Sequence, residues 1–553
     1  MASCGASEYA DIPSRRGEIT PSGVKLGGIF RMNESGTPRS FDPVRIDESA
    51  GHHIADQMYD GLFKFDDKLD LIPGVASSHE ISEDGKTYTL FLQKGIKFHD
   101  NACFPEGKGR EVKASDVEYC LTRVLAPTSK STGAWIFEDI VVGAKEFMSG
   151  KADKVAGFKT IDEYTFQIEL NKPFLRFPFR LAMSFCYLHP REALEYYKDD
   201  FFQNPVGTGP FQFVHWKPNQ EILMKRNPHY WMKDKDGVQL PYLDGVSCGR
   251  INDFKISFLE LDLGNLELVQ QIHEDLWTNV FDENNQVRPD FAKYKIQHMS
   301  LWVTQYYGFN LTKPPFKDNK NLRQAFNYAI DREAIIKYVT NGRGIPATGV
   351  VPSGIPGYES DLKGYGYDPQ KAKQLLADAG YPNGEGLEEI TLQLNSGGTV
   401  NETIAEAIQE QLRKIGVTIN LQIVDWAQHL ESIDNNQALF YRLGWVADYP
   451  DPENFIQLLS SKNFPPNGAN YSRYSSPEYD KLFDEAMMSS DVKKQAELFK
   501  QAEKIAVEDA PWLFLFYTVR YRMMQPYVNN LVYNPQELIF LTNVWLDDMP
   551  GEK

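Results

Sequence analysis

Between Ile404 and Ile423 the hydrophobic period of the chain changes once, and that change constrains the fold more than any other stretch. Ile404, Ile408, Leu412 and Ile415 recur at helical spacing, Gly416 follows, and Val417, Ile419, Leu421 and Ile423 then alternate. Residues three and four apart share a helix face, whereas alternate residues share a strand face. Glycine accepts the left-handed backbone with which helices commonly end. A helix feeding directly into a strand is the working unit of an α/β domain. Neighbouring stretches agree. Leu322, Ala325, Phe326 and Ala329 fall on one face of a helix over 321–332. Asp368-Pro369 reads as an N-cap with proline at the first helical position, closed by Gly380, and Ser476-Pro477 opens another helix in the same way.

The amino-terminal part reads differently. Residues 1–24 lack periodicity and are expected to form a tether. A strand-like run follows from Val24 to Met32, then a helical stretch over Ser49–Leu62. The alternation Tyr88-Thr89-Leu90-Phe91-Leu92 follows Glu83-Asp84-Gly85-Lys86, a hairpin turn. At 553 residues and 42% hydrophobic content the chain suffices for two or three domains with cores of their own. No run approaches the roughly 18 apolar residues of a membrane-spanning helix. A formal charge of −18 argues against nucleic acid, whose phosphates require clustered Lys and Arg.

Cys4, Cys103, Cys120, Cys186 and Cys248 form no C-x-x-C pair, which argues against a zinc site. The last four could be joined by disulfides in an oxidising compartment, in a pairing that sequence does not specify. His52-His53 are adjacent and would face different ways on a helix, so no metal site is expected. No nucleophile elbow, Walker loop or dinucleotide fingerprint is present; no catalysis and no cofactor are expected.

Two further stretches carry a resemblance. In Asn204-Pro205-Val206-Gly207-Thr208-Gly209-Pro210-Phe211 the glycines allow a turn where a Cβ would clash, and Pro210 fixes φ ahead of the strand-like Phe211–Val214. In Gly444-Trp445-Val446-Ala447-Asp448-Tyr449-Pro450-Asp451-Pro452-Glu453-Asn454-Phe455 an aromatic and a carboxylate precede a proline-rich loop. With the segments around Ile81–Asp100 and Val112–Val117, these resemble family 5 of the bacterial extracellular solute-binding proteins, the oligopeptide- and dipeptide-binding components of ABC importers. The charged insert Ala102–Arg110 departs from the family pattern.

The resemblance implies an α/β fold of the periplasmic-binding-protein type (class II, cluster C): two lobes with a hinge and an inserted domain. Domain I would comprise 25–60, 181–304 and 516–553, domain II 61–180, and domain III 305–515. The ligand would be a short peptide enclosed between lobes by hinge closure, and the partners ABC permease subunits, for a monomer in the periplasm or at the cell surface. Met1-Ala2-Ser3-Cys4-Gly5-Ala6-Ser7 resembles the start of a mature lipoprotein, with Cys4 as the acylated residue. Relatives of the same fold that bind nickel chelates, haem or oligosaccharides leave another solute as the alternative, and a secreted hydrolase as a remote one.

A peptide presents an ammonium, a carboxylate and unpaired main-chain groups, each costly to bury alone. The resemblance assigns Asp448 to the ammonium, Arg442 to the carboxylate, Gly444 and Trp445 to the ligand backbone and its surroundings, and Asp47 and Trp135 to contacts on the opposite lobe. Plain structural readings stand beside these: Asp448 as a cap, Arg442 as an interlobe salt bridge, Trp445 as core.

Overall fold

The change of period at Gly416 is visible in the computed structural model, which describes residue 9 and residues 12–46, 48–396, 399–466, 468–489 and 491–548. The chain divides into two units: the first holds residues up to 280, 287–297 and 521 onward, the second 281–286 and 298–520.

The first unit begins with β1 (Ile29–Glu34), followed by helix α1 (Ser49–Met58) and a ribbon of β2 (Phe63–Phe65) and β3 (Leu71–Pro73). Next come β4 (Ala76–Ile81), β5 (Thr87–Leu92), β6 (Phe158–Thr160) and β7 (Thr165–Glu169), an antiparallel sheet in the order β4-β5-β7-β6. The hairpin between β4 and β5 turns at Gly85, whose φ of 70° suits the expected tight turn. Then β8 (Phe211–Lys217), β9 (Glu221–Arg226) and β10 (Gly245–Arg250) join β1 in the order β1-β10-β9-β8, with β1 and β10 parallel.

The glycine-rich stretch ahead of β8 is clamped by His99. Its main-chain N–H donates to Gly207 O at 2.8 Å, and its ring lies 2.9 Å from Gly209 O and 3.4 Å from Gly207 N. The neutral tautomer with its proton on Nε2 satisfies both ring contacts. A Cβ at residue 207 would stand 2.2 Å from Met58 O, and one at residue 209 would stand 2.4 Å from Met58 C. Close approach to the end of α1 therefore explains both glycines.

Residues 12–24, expected within a tether, are instead fixed to the first unit. Ile12 is buried, and Arg15 Nη2 donates to the carbonyls of Pro241, Tyr242 and Leu243 while Nε pairs with Asp244. The three carbonyls and the Asp244 carboxylate hold this segment, and none of them imposes a periodic side-chain pattern on it. Cys4 and Asp47 lie outside the described residues. Cys103, Cys120, Cys186 and Cys248 are free thiols, so no disulfide joins these four.

The chain passes to the second unit within β12 (Lys295–Phe309), after the short β11 (Leu268–Val269). In the second unit β13 (Gly344–Pro346), β14 (Ile390–Asn395), β15 (Ile419–Val424) and β16 (Phe440–Val446) follow, and the chain returns within β17 (Trp512–Met524). The sheet order is β11-β17-β12-β16-β14-β15, with β13 beside β17; β14 is parallel to both neighbours and β16 is antiparallel to β12.

Helices α2 (Lys320–Ala329), α3 (Pro369–Asp378) and α4 (Thr399–Arg413) cover one face. Leu322, Ala325, Phe326 and Ala329 of α2 and Ile404, Ile408 and Leu412 of α4 are buried together with Leu392 and Leu394. Asp368 caps α3 through Lys371 N at 2.9 Å. Gly416 has φ 94°, the left-handed conformation that stops α4. Ile423, expected on the buried face, is 47% exposed at the end of β15. Helix α5 (Trp426–Asp434) crosses the other face of β14, and α6 (Val492–Asp509) places Glu503 in the interior, where the N–H groups of Val350 and Val351 donate to it.

Burial depresses the pKa of His99 to about 4. The unfolded chain takes up this proton near pH 6.5, so His99 contributes fully above that value and its contribution is lost as the pH falls toward 4, by about 3 kcal/mol. Urea unfolding of the wild type and of His99→Gln should show a stability difference that shrinks by this amount between pH 7 and pH 4. Parallel pH profiles would contradict the clamp.

Candidate functional site

The register of β16 on β12 decides which main-chain groups are used up within the sheet. Val446 stands opposite Val303 and Gly444 opposite Gln305, while Ala447 N donates to Trp302 O and Asn310 N to Leu439 O. In an antiparallel ladder successive residues turn their N–H and C=O to opposite sides. The odd-numbered residues 439–447 thus bond to β12, and Arg442, Gly444 and Val446 turn theirs toward the β14 side. There the register with β14 ends at Gln393 opposite Tyr441. Arg442 O accepts from His429 Nε2 at 2.8 Å. Beyond it, among the described residues, no strand pairs with this edge at Gly444 and Val446. Because β14, β15 and β16 run parallel, their carboxyl ends at Asn395, Val424 and Val446 share one end of the sheet, where open α/β sheets hold ligands.

Asp448 lies just past this end and is exposed. Asn454, fully buried, fixes it: Asp448 N donates to Asn454 Oδ1 at 3.1 Å, and Asn454 Nδ2 donates to Asp448 Oδ2 at 2.8 Å. The same Oδ1 accepts from Trp445 Nε1 at 2.9 Å. One amide therefore orients both the carboxylate and the indole, and half-buried Trp445 is not a core residue.

Arg442 is held on neutral groups. Its Nη2 donates to Gln305 Oε1 at 2.7 Å and its Nη1 to Asn395 Oδ1 at 3.3 Å; among the described residues no carboxylate pairs with it. Burial lowers its pKa from the ordinary arginine value, and the neighbouring Tyr307 and Tyr306 act the other way. The guanidinium is desolvated and lacks a counterion, the condition in which an anion gains most.

Gly444 also has a local cause within the strand. A Cβ there would stand 2.9 Å from Gln305 Oε1, so the glycine lets Gln305 lie across the strand and reach Arg442. His429 completes the support: Gln393 Nε2 lies 2.9 Å from its Nδ1, and burial lowers its pKa, consistent with a neutral ring that donates to Arg442 O.

The structure thus brings Arg442, Gly444, Trp445 and Asp448 to one end of one sheet. Trp135 belongs to the first unit, 39% exposed, with the Arg180 guanidinium 5.2 Å from its ring. Sequence reading missed Asn454, Gln305, Asn395 and His429. Asn454 stands within the quoted motif, and only its return to Trp445 and Asp448 reveals its role. Among the described residues no group of His, Cys, Asp and Glu could hold a metal ion, and no helix is long and apolar enough to cross a membrane.

Residues 70–467 match the model of "Bacterial extracellular solute-binding proteins, family 5 Middle". The chain is 30% identical to Heme-binding protein A of Haemophilus influenzae over 97% of this chain and 95% of the relative. It is 31% identical to the oligopeptide-binding protein OppA of Bacillus subtilis over 87% and 86%. It superposes with a TM-score of 0.77 and 26% identity on the periplasmic binding protein DppA from Helicobacter pylori in complex with the peptide STSA, covering 95% of this chain and 99% of that one. With residues 70–467 of its 553 matched by this model, the chain belongs to family 5 of the bacterial extracellular solute-binding proteins.

Proposed function

We propose that the protein captures short peptides outside the cytoplasmic membrane for an ABC importer and binds them without turnover. The observation that carries this reading is the unpaired edge of β16 at Gly444 and Val446, bounded by the Asp448 carboxylate and the Arg442 guanidinium. An extended peptide adds to such an edge through its main chain, so affinity is largely independent of side-chain identity. With its ammonium at Asp448 and its carboxylate toward Arg442, the peptide would run antiparallel to β16. Peptide binding by similar proteins, named for OppA of Bacillus subtilis and for the DppA complex with STSA, supports this reading. The name of the Haemophilus influenzae relative raises haem as another solute. Haem has neither an ammonium for Asp448 nor main-chain groups for the strand edge.

The same reading retains an ABC permease as partner, a monomer as the working state and Cys4 as the lipid-bearing residue. The separate sheet of β4–β7 supports 61–180 as an inserted domain beside 25–60, 181–304 and 516–553, with 305–515 as the other lobe. Asp47 and Trp135 remain proposed ligand contacts.

Asp448→Ala should weaken binding of a free tripeptide by roughly 2–5 kcal/mol, because it leaves a covered ammonium unpaired. Acetylating the peptide's amino end should cost the wild type a similar amount and cost the variant little. Calorimetry that finds equal wild-type affinity for free and acetylated peptides would remove Asp448 from the site.

Arg442→Met removes a desolvated charge that has no carboxylate partner among the described residues. The variant should be as stable as the wild type or more stable, by about 1 kcal/mol in urea unfolding, while losing its preference for free-acid over amidated peptides. A strongly destabilised variant with the preference intact would make Arg442 a structural residue.

A further inference from the structure

A parallel pair of strands ordinarily buries both faces under apolar side chains. β14 and β15 depart from this. Leu392 and Leu394 face the core, but the opposite face carries Thr391, Gln393 and Gln422 and is only partly covered by α5. This polar face floors an open depression of about 560 Å³ within the second unit, bounded by α5 and by the segment 437–439 leading into β16, with Glu389, Gln422, Gln428, Glu431 and Gln437 exposed around Gln393. Its volume falls within the roughly 300–1,000 Å³ of small-molecule sites.

The chemistry of the lining selects among ligands. Gln393, 6% exposed, is locked: Ser432 Oγ donates to its Oε1 at 2.9 Å, and its Nε2 lies 2.9 Å from His429 Nδ1. Around it stand the amides of Gln422, Gln428 and Gln437, the Thr391 hydroxyl, and the carboxylates of Glu389 and Glu431. Among the described residues no lysine, arginine or aromatic side chain lines it. Among the described residues neither carboxylate has a cationic partner. Anionic solutes find no counter-charge here, and an apolar solute would strand the amides without partners. Amides and hydroxyls both donate and accept, as the hydroxyls of a sugar do, and the carboxylates add acceptors for an ammonium.

We propose that this depression is a second binding site, separate from the peptide edge, for a small polyhydroxylated amine of the amino-sugar class. The depression takes in Glu389 and Thr391 at the amino-terminal end of β14 and the segment entering β16, whereas the peptide edge lies at the carboxyl end of β16. Occupancy of one therefore does not require the other to be filled.

The test uses the full chain with glucosamine, glucose and putrescine as probes, followed by saturation-transfer NMR and calorimetry. Glucosamine should bind saturably, with glucose and putrescine each weaker by about tenfold or more. Gln422→Ala and Glu431→Gln alter exposed side chains, so folding should be preserved. Each should lower glucosamine affinity by about tenfold or more while leaving thermal unfolding and the peptide titration unchanged. No saturable glucosamine binding to the wild type, or unchanged affinity in both variants, would overturn the proposal. Glucose binding as tightly as glucosamine would overturn the assignment of an amine. Loss of peptide binding to the wild type would count against the peptide reading alone.

Discussion

The pairing of β16 with β12 is the constraint on which the rest of the site depends. It commits every second main-chain group of β16 to the sheet and turns the intervening ones to the other side. Since β14 pairs only at Phe440 and Tyr441, the last residues of β16 keep donors and acceptors that the fold itself does not use. Water can satisfy such accessible groups, and an incoming backbone can take its place. An edge of this kind at the carboxyl end of a parallel sheet is therefore a place for an incoming chain, and side chains at its two ends only need to read what that chain carries at its termini.

Arg332, buried, and Arg442, half-buried, show how differently the second unit treats the same charge. Arg332 donates to the carbonyls of Phe514, Asn327, Ile330 and Tyr365 and to Asn327 Oδ1, so the peptide dipoles of its own unit solvate it, and burial still lowers its pKa to about 10. Among the described residues Arg442 has two side-chain amides. The first is a strut held by acceptors on Nε and on both Nη atoms. The second keeps donor capacity and an uncompensated field at the mouth of the strand edge, a cost that an anionic ligand relieves. Asn454 supplies the matching economy on the other side, one neutral amide holding Trp445 and Asp448 at once.

How much of this was legible in the chain depends on the distance over which each signal acts. The stripes on α2 and α4, the Asp368 cap and the stop at Gly416 were readable because a helix face and its ends are local patterns. Asp448 and Arg442 were legible only through resemblance, and their supports were not legible at all. Gln305 becomes a partner of Arg442 through the register of β12 on β16, and Gly444 also makes room for that glutamine. Residues 12–24 looked free because Arg15 is bound to main-chain carbonyls, which leave no trace in composition. Ile423 followed the strand alternation and still emerged exposed, since it stands at the end of β15, past the last residue the core covers.

The central claim is that a ligand's main chain completes the edge of β16. Hydrogen exchange of the full chain, resolved to single amides and measured with and without a saturating tripeptide, addresses it directly. The account predicts slowed exchange at the amides of Gly444 and Val446, with little change at Leu443 and Trp445, which are already bonded to β12. Unchanged exchange at Gly444 and Val446 in the peptide-saturated protein would contradict it.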